Sequence, residues 1–168
     1  MNANNICNDA LFDRLYLDYA KTLHNLLYYR CGNQTLAEDL TQEAFLRLWK
    51  NCHKVPPEKA RGFVFTTALN LLRDEYKHQA VVLKFQQIPR KQSSNYSPHS
   101  ELEEKEFKAK LERAINQLPE NNRIVFLLNR IDKRSYREIA EMLGISVKAV
   151  EKRMQKALVE MRKISKNI

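Results

Sequence analysis

Glycine is scarce in this chain, with three residues in 168, alongside five prolines and a single tryptophan. Positive backbone φ falls mostly to glycine, so three of them cannot supply the tight turns of a many-stranded sandwich or barrel, nor a glycine-rich phosphate loop. Long apolar runs are missing too: the longest, Ile124 to Leu128, has five residues, against roughly 20 for a bilayer span. The opening stretch MNANNICNDA carries neither a basic n-region nor an apolar h-region, and a soluble, cytoplasmic protein is expected. Cysteine occurs as Cys7, Cys31 and Cys52, odd in number, scattered and never in a CxxC pair. That argues against a disulfide framework and a zinc site, and predicts reduced thiols. His24, His53, His78 and His99 are dispersed, the Cys52-His53 pair has no further close-spaced donor, and no nucleophile motif occurs. No catalytic residue, metal, cofactor or small-molecule substrate is therefore expected.

What is present is helix-forming sequence and positive charge. The composition, 43% hydrophobic and 29% charged, is that of a globular chain. The net charge of +9 is uneven: +3 over residues 1–90, −1 over 91–120 and +7 over 121–168. A basic C-terminal third points to a polyanion, and nucleic acid is the commoner partner where no amphipathic membrane anchor accompanies the charge.

Apolar residues recur at i, i+3, i+4 from Asp9 to Cys31 (Leu11, Phe12, Leu15, Tyr16, Tyr19, Leu23, Leu26, Leu27), predicting a helix that Gly32 ends. Thr35-Leu36-Ala37-Glu38 has the pattern of a capping box and predicts a second helix from about Leu36 to Asn51. Pro56-Pro57 opens a third, about Glu58 to Gln79, with Phe63, Val64, Thr67, Ala68, Leu71 and Leu72 inward. From Ala80 to Ser100 periodicity fades into Gln, Ser, Asn and Pro, which reads as a linker. A capping box at Ser100 to Glu103 opens a charged helix to about Gln117, and Pro119 starts another, ending near Ile131. The expected fold is all-α, two small helical domains joined by a flexible linker.

The segment SYREIAEMLGISVKAVEKRMQKALVEMRK carries the clearest signal. Ser135 and Glu138 form a capping box, Gly144 ends a short helix, Ile145 plugs the turn, and Ser146 caps a longer helix. This is the layout of a helix-turn-helix. On the second helix Val147, Val150, Met154, Ala157, Leu158 and Met161 lie on one side, and Lys148, Lys152, Gln155 and Lys156 on the other, with Arg153 flanking. Ser146, Lys148, Ala149, Lys152, Arg153 and Lys156 are the candidates for contact with bases and phosphates in a major groove. An ordinary solvated helix face is the alternative, but it usually mixes signs, and here Glu151 lies to the side.

The second helix presents Glu38, Asp39, Gln42, Glu43, Leu46 and Arg47 away from its core face, a protein-docking surface or a plain solvated one. The third ends LNLLRDEYKHQ, mixing Asn70, Arg73, Tyr76, Lys77 and His78 so that aromatic and basic residues are interleaved. That pattern can hold unpaired bases, although packing explains it as well. AEDLTQEAFLRLWKN followed by RGFVFTTALNLLRDEYK resembles region 2 of bacterial RNA polymerase sigma factors of the extracytoplasmic function (ECF) type, and the segment from Ile115 to Arg162 resembles their region 4.

The resemblance implies a region 2 domain over 1–80, a linker over 81–100 and a region 4 domain over 101–168. Asp39, Leu40, Gln42 and Phe45 match the pattern that docks on the polymerase β′ subunit, with Leu46 and Trp49 nearby. Asn51 to Ala60 and the helix from Arg61 to His78 match the segment that opens the −10 element, with Asn70, Arg73, Asp74, Tyr76, Lys77 and His78 as its candidate contacts. Leu69 and Arg73 depart from the family's usual residues there. Ser146 to Lys156 match the −35 recognition helix. The implied partners are core RNA polymerase (β′ and β), promoter DNA and an anti-sigma factor, in this family often membrane-bound. A stand-alone helix-turn-helix regulator and a helical adaptor are the competing classes. The first would need a dimer to match two half-sites, and the second would bind no DNA.

Overall fold

The computed structural model describes the backbone of residues 5–85 and 102–165, and the side chains of 5–79 and 109–163. Among the described residues there are seven helices and no strand: α1 (Asp9–Cys31), α2 (Gln34–Lys50), α3 (Pro57–Phe85), α4 (Leu102–Gln117), α5 (Glu120–Arg130), α6 (Tyr136–Leu143) and α7 (Val147–Ser165). No helix among them is long and apolar enough to cross a membrane.

The helix ends follow from side-chain chemistry. Asn8 accepts hydrogen bonds from the Ala10 and Leu11 N–H groups at the start of α1, and Gly32, at φ 64, ends it by donating to the Tyr28 carbonyl. The start of α2 differs from expectation: Asn33, not Thr35, is the N-cap, accepting from the Leu36 N–H at 3.0 Å. Asparagine is the stronger cap, and Glu38 accepts from Gln34 at 3.0 Å. Helix α3 runs six residues past Gln79, into the stretch read as linker, because AVVLKF contains no breaker before Pro89. The capping box expected at Ser100 lies outside the described residues. The one at Ser135 is complete: its hydroxyl accepts from the Glu138 N–H, and the Glu138 carboxylate accepts from the Ser135 N–H at 2.9 Å.

Helices α1, α2 and α3 close around Leu23, Leu26, Leu27, Ala44, Leu48, Val64, Phe65 and Ala68. Phe65, the largest side chain buried outright, is not among the residues expected inward on α3, and burying it stabilises the bundle by about 1.5–3 kcal/mol. Helices α5, α6 and α7 close around Ile124, Val125, Leu128, Ile139, Met142, Val150 and Met154. Val147, expected inward, is 40% exposed because it opens α7 beyond the edge of that core. Helix α5 rests on α1 and α6 on α3, so the two cores are continuous.

The cysteine expectation is overturned. Cys7 and Cys52 form a disulfide, and only Cys31 is free among the described residues. Ile6, fully buried, anchors the segment before α1 beside the turn that follows α2. Spacing in the sequence carries no trace of this approach, since 45 residues separate the partners. Closing such a loop removes about 4 kcal/mol of chain entropy from the unfolded state, in the loop-closure account.

Glu138 links this architecture to pH. The Ser135 N–H holds its carboxyl below the usual value near 4.5, opposed by burial and helped by the Ser135 hydroxyl and Arg134. Because the folded value is the lower one, the stabilisation is full above the unfolded value near 4.5 and is lost as pH falls from there through the folded value. Glu138→Gln, which keeps an acceptor without the charge, is expected to flatten the acid limb of a stability–pH curve. Glu138→Ala is expected to lose about 1 kcal/mol at neutral pH in urea denaturation.

Candidate DNA and polymerase surfaces

Helix α7 carries its basic residues outward. Ser146 caps it, its hydroxyl accepting from the Ala149 N–H at 3.2 Å. Lys148, Lys152, Gln155 and Lys156 are exposed, while Val150, Met154 and Ala157 are buried beneath them. A groove of about 940 Å³ runs between this face and the start of α5, lined by Ala149, Lys152, Arg153 and Lys156, with Asn121 and Asn122 opposite. The structure thus gathers four of the six residues assigned to duplex contact. Ser146 acts as a cap, and Lys148 stands outside the groove lining. The two asparagines were missed because they sit on a different helix, distant in sequence.

On α3 the outcome is different. A second groove, of about 1140 Å³, is lined by Lys54, Lys59, Arg61, Phe63, Thr67 and Asn70 among others. Of the six residues expected to contact the melted strand, only Asn70 lines it. Arg73 donates to Asn70 at 2.9 Å, Lys77 pairs with Asp74 at 3.7 Å, and the Tyr76 hydroxyl donates to the Arg30 carbonyl at 3.2 Å. His78 is exposed on the same stretch of helix. The groove draws on the turn before α3 and the first turns of that helix, where Phe63, expected inward, and Arg61, not among the candidate contacts, both line it.

Along α2, Asp39, Gln42, Leu46 and Trp49 are exposed at helical spacing, Leu46 at 51%. Leu40 and Phe45 are buried beneath that line. Phe45 meets Phe12 and Tyr16 of α1 edge-on, at 6.1 and 4.9 Å between ring centres, and Phe12 in turn meets Trp49 at 5.0 Å. The aromatic packing orients the outer face, and Glu43 and Arg47 pair along it at 2.8 Å.

Two family models match the chain: Sigma-70 region 2 over residues 15–81 and Sigma-70, region 4 over residues 108–161. Both belong to one family and appear in its order. The chain belongs to the sigma-70 family, as a factor of the ECF type. It is 27% identical over 155 residues to the ECF RNA polymerase sigma factor SigE of Mycolicibacterium smegmatis, covering 90% of this chain and 60% of SigE. It is 26% identical to the ferric citrate uptake sigma factor FecI of Escherichia coli, covering 88% and 86%. The fold is shared with sigma factor RpoE of Bartonella quintana, solved in complex with the anti-sigma factor NepR: TM-score 0.63, 17% identity, 92% of this chain and 96% of that one.

In this sigma factor the two matched regions meet along a polar seam. The Asp132 carboxylate, in the turn before α6, accepts from the Asn25 amide and, at 2.9 Å, from the Tyr29 hydroxyl, both on α1. Burial and then that bond to Asp132 raise the Tyr29 phenol far above its usual range, so it remains a donor at all ordinary pH. Lys133, at φ 55, turns the chain so that Arg134 donates to Thr22. Arg30 pairs with Glu120 at 3.4 Å, and Arg61 pairs with Glu141 of α6. The seam is incompletely satisfied: Arg30 Nε and Arg134 Nε are buried with no hydrogen-bond partner among the described residues.

Asp132 joins more of this seam than any other side chain described. Asp132→Ala leaves the Tyr29 hydroxyl and the Asn25 amide without their acceptor, a loss of about 1–3 kcal/mol. Small-angle X-ray scattering is expected to show a larger radius of gyration for the variant while circular dichroism keeps its helix signal. Unchanged scattering would mean that the apolar contacts hold the halves together without Asp132.

Proposed function

We propose that this sigma factor holds core RNA polymerase (β′ and β), docking on β′ through the outer face of α2, and reads promoter DNA at two points: the −10 element with the α3 groove and the −35 element with α7. Helices α1 to α3 and α4 to α7 act as its two working units, joined by the segment around residues 81–100. It works in the cytoplasm, where the polymerase is, and contributes no catalytic residue of its own. The observation that carries the reading is the pair of exposed lines on one chain: Asp39, Gln42, Leu46 and Trp49 on α2, and Lys148, Lys152 and Lys156 on α7. The first suits a protein surface, the second a phosphate backbone.

The closed seam is a resting form. The −10 and −35 elements lie about 25 base pairs apart, on the order of 80 Å at 3.4 Å per pair. Here α3 and α6 touch, and Glu141 neutralises Arg61 at the edge of the −10 groove. Promoter engagement therefore separates the halves and frees Arg61. An anti-sigma factor would favour the inactive form by covering the same faces, as a partner of the kind solved with the Bartonella protein.

In vitro transcription with core polymerase and a library of genomic fragments tests the reading. Initiation at a defined set of sites is expected, and none at any site, with a known sigma factor active alongside, would overturn it. Lys148→Gln with Lys152→Gln is expected to weaken duplex binding and lower the salt slope by about 2 while polymerase affinity stays unchanged. Trp49→Ala is expected to do the opposite, weakening polymerase binding by about 1–2 kcal/mol. Equal loss of both activities in either variant would put the face assignment in error.

A further inference from the structure

One cluster takes no part in the surfaces above. Cys52 follows the C-cap of α2 and sits in the turn whose neighbours Asn51, Lys54 and Val55 line the α3 groove. The turn is held by N–H groups of Lys54 and Val55 donating to the Asn51 carbonyl at 2.8 and 3.1 Å. Cys7 reaches it from the segment before α1, and the two sulfurs are bonded. His53 Nδ1 stands 3.2 Å from Cys7 Sγ. The residues differ in access: His53 is exposed, Cys7 half-buried, and Cys52 only 6% exposed. Disulfides in reducing compartments are usually transient and redox-sensing.

We infer that Cys7 and Cys52 are a peroxide-reactive thiol pair, Cys7 attacking and Cys52 resolving, whose oxidation staples the N-terminal segment to the mouth of the −10 groove. The roles follow from access and from the imidazole. In the reduced chain His53 accepts the Cys7 proton, favouring the thiolate, which is the nucleophile. The thiolate attacks one oxygen of hydrogen peroxide: an S–O bond forms, the O–O bond breaks, and the departing hydroxide takes a proton to leave as water. Cys7 is then a sulfenic acid. The Cys52 thiolate attacks that sulfur, the S–S bond forms, the S–O bond breaks, and a second water leaves. Two thiols and one peroxide give one disulfide and two waters. A dithiol reductant restores the pair by exchange, taking up the two electrons. Cys31 has no imidazole at its sulfur in the contacts described: its thiol donates to the Asn33 carbonyl at 3.3 Å, making it an internal control.

The staple's effect on initiation rests on the −10 groove reading, whereas its chemistry does not. With the pair reduced, Ile6 and the turn at 51–55 are no longer covalently tied. Initiation is expected to change several-fold between the two forms while polymerase affinity stays level.

The test uses the full chain, reduced and then exposed to hydrogen peroxide. Thiol counting is expected to fall from three to one. With Cys52→Ser, dimedone is expected to trap a sulfenic acid on Cys7; with Cys7→Ser, none on Cys52. His53→Ala, an exposed change that leaves the fold alone, is expected to slow oxidation several-fold. A dimedone adduct on Cys52, or oxidation of Cys7 no faster than Cys31, would overturn the assignment. So would protection of both thiols by one equivalent of zinc, which would make the cluster a metal site. Equal transcription from both forms would overturn the link to initiation alone, and no transcription from either would point to failure of the promoter reading instead.

Discussion

Helix α1 must cover two cores at once, and the rest of the molecule is arranged around that demand. Leu23, Leu26 and Leu27 are fully buried in the three-helix bundle, while Thr22, Asn25 and Tyr29 on the same helix turn to α5 and the 131–135 turn. The first set is apolar and irreversibly interior. The second is polar and can be exchanged for water at little net cost, because a hydrogen bond lost within the protein is regained in solvent. A helix built this way holds one neighbour firmly and the other conditionally. The Nε atoms of Arg30 and Arg134, with no hydrogen-bond partner among the described residues, add to the contrast, since a half-satisfied polar network stabilises its interface less than an apolar one.

What could be read from the sequence was what local chemistry decides. The Ser135–Glu138 box, Gly144 and the Ser146 cap lie within a dozen residues, each defined by short-range bonds, and all are where the pattern puts them. Where two local signals compete, the reading fails by a turn: Asn33 and Thr35 both suit an N-cap, and the better acceptor wins. Phe65 shows a different limit. A helix flanked on more than one side buries more than one stripe, so a single-face pattern leaves out a residue that α1 covers. The disulfide and the Asp132 seam join residues 45 and about 105 positions apart, and no periodicity carries such pairings.

The candidate site residues divide in the same way. On α7 one helix supplies much of the groove, so counting at 100° per residue picks out Lys152, Gln155 and Lys156 of its lining, while Gln117, Pro119, Asn121 and Asn122 from before and within α5, and Val159 and Glu160 further along α7, escape it. On α3 the groove is made jointly by a loop and a helix, and the residues picked from composition at the helix end instead bond to one another or to α1. Aromatic and basic residues interleaved along a helix describe a composition that binds nucleic acid and one that caps and packs a long helix equally well.

The conditional seam and the disulfide constrain different motions. The seam's polar bonds, partly solvent-exposed, and the apolar core continuous beneath them together oppose separation of α5 and α6 from α1 and α3, and only a partner that binds the open form better can shift that balance. The disulfide acts inside one half, between the segment before α1 and the turn before α3, and leaves the seam alone. Opening the seam would free Arg61 from Glu141 at one edge of the α3 groove, and the disulfide ties the N-terminal segment to Cys52, in the turn whose Asn51, Lys54 and Val55 line another edge. Two independent inputs therefore converge on one groove. The electrostatic input is governed by whatever competes for α1 and α3, and the covalent one by the oxidant that reaches Cys7.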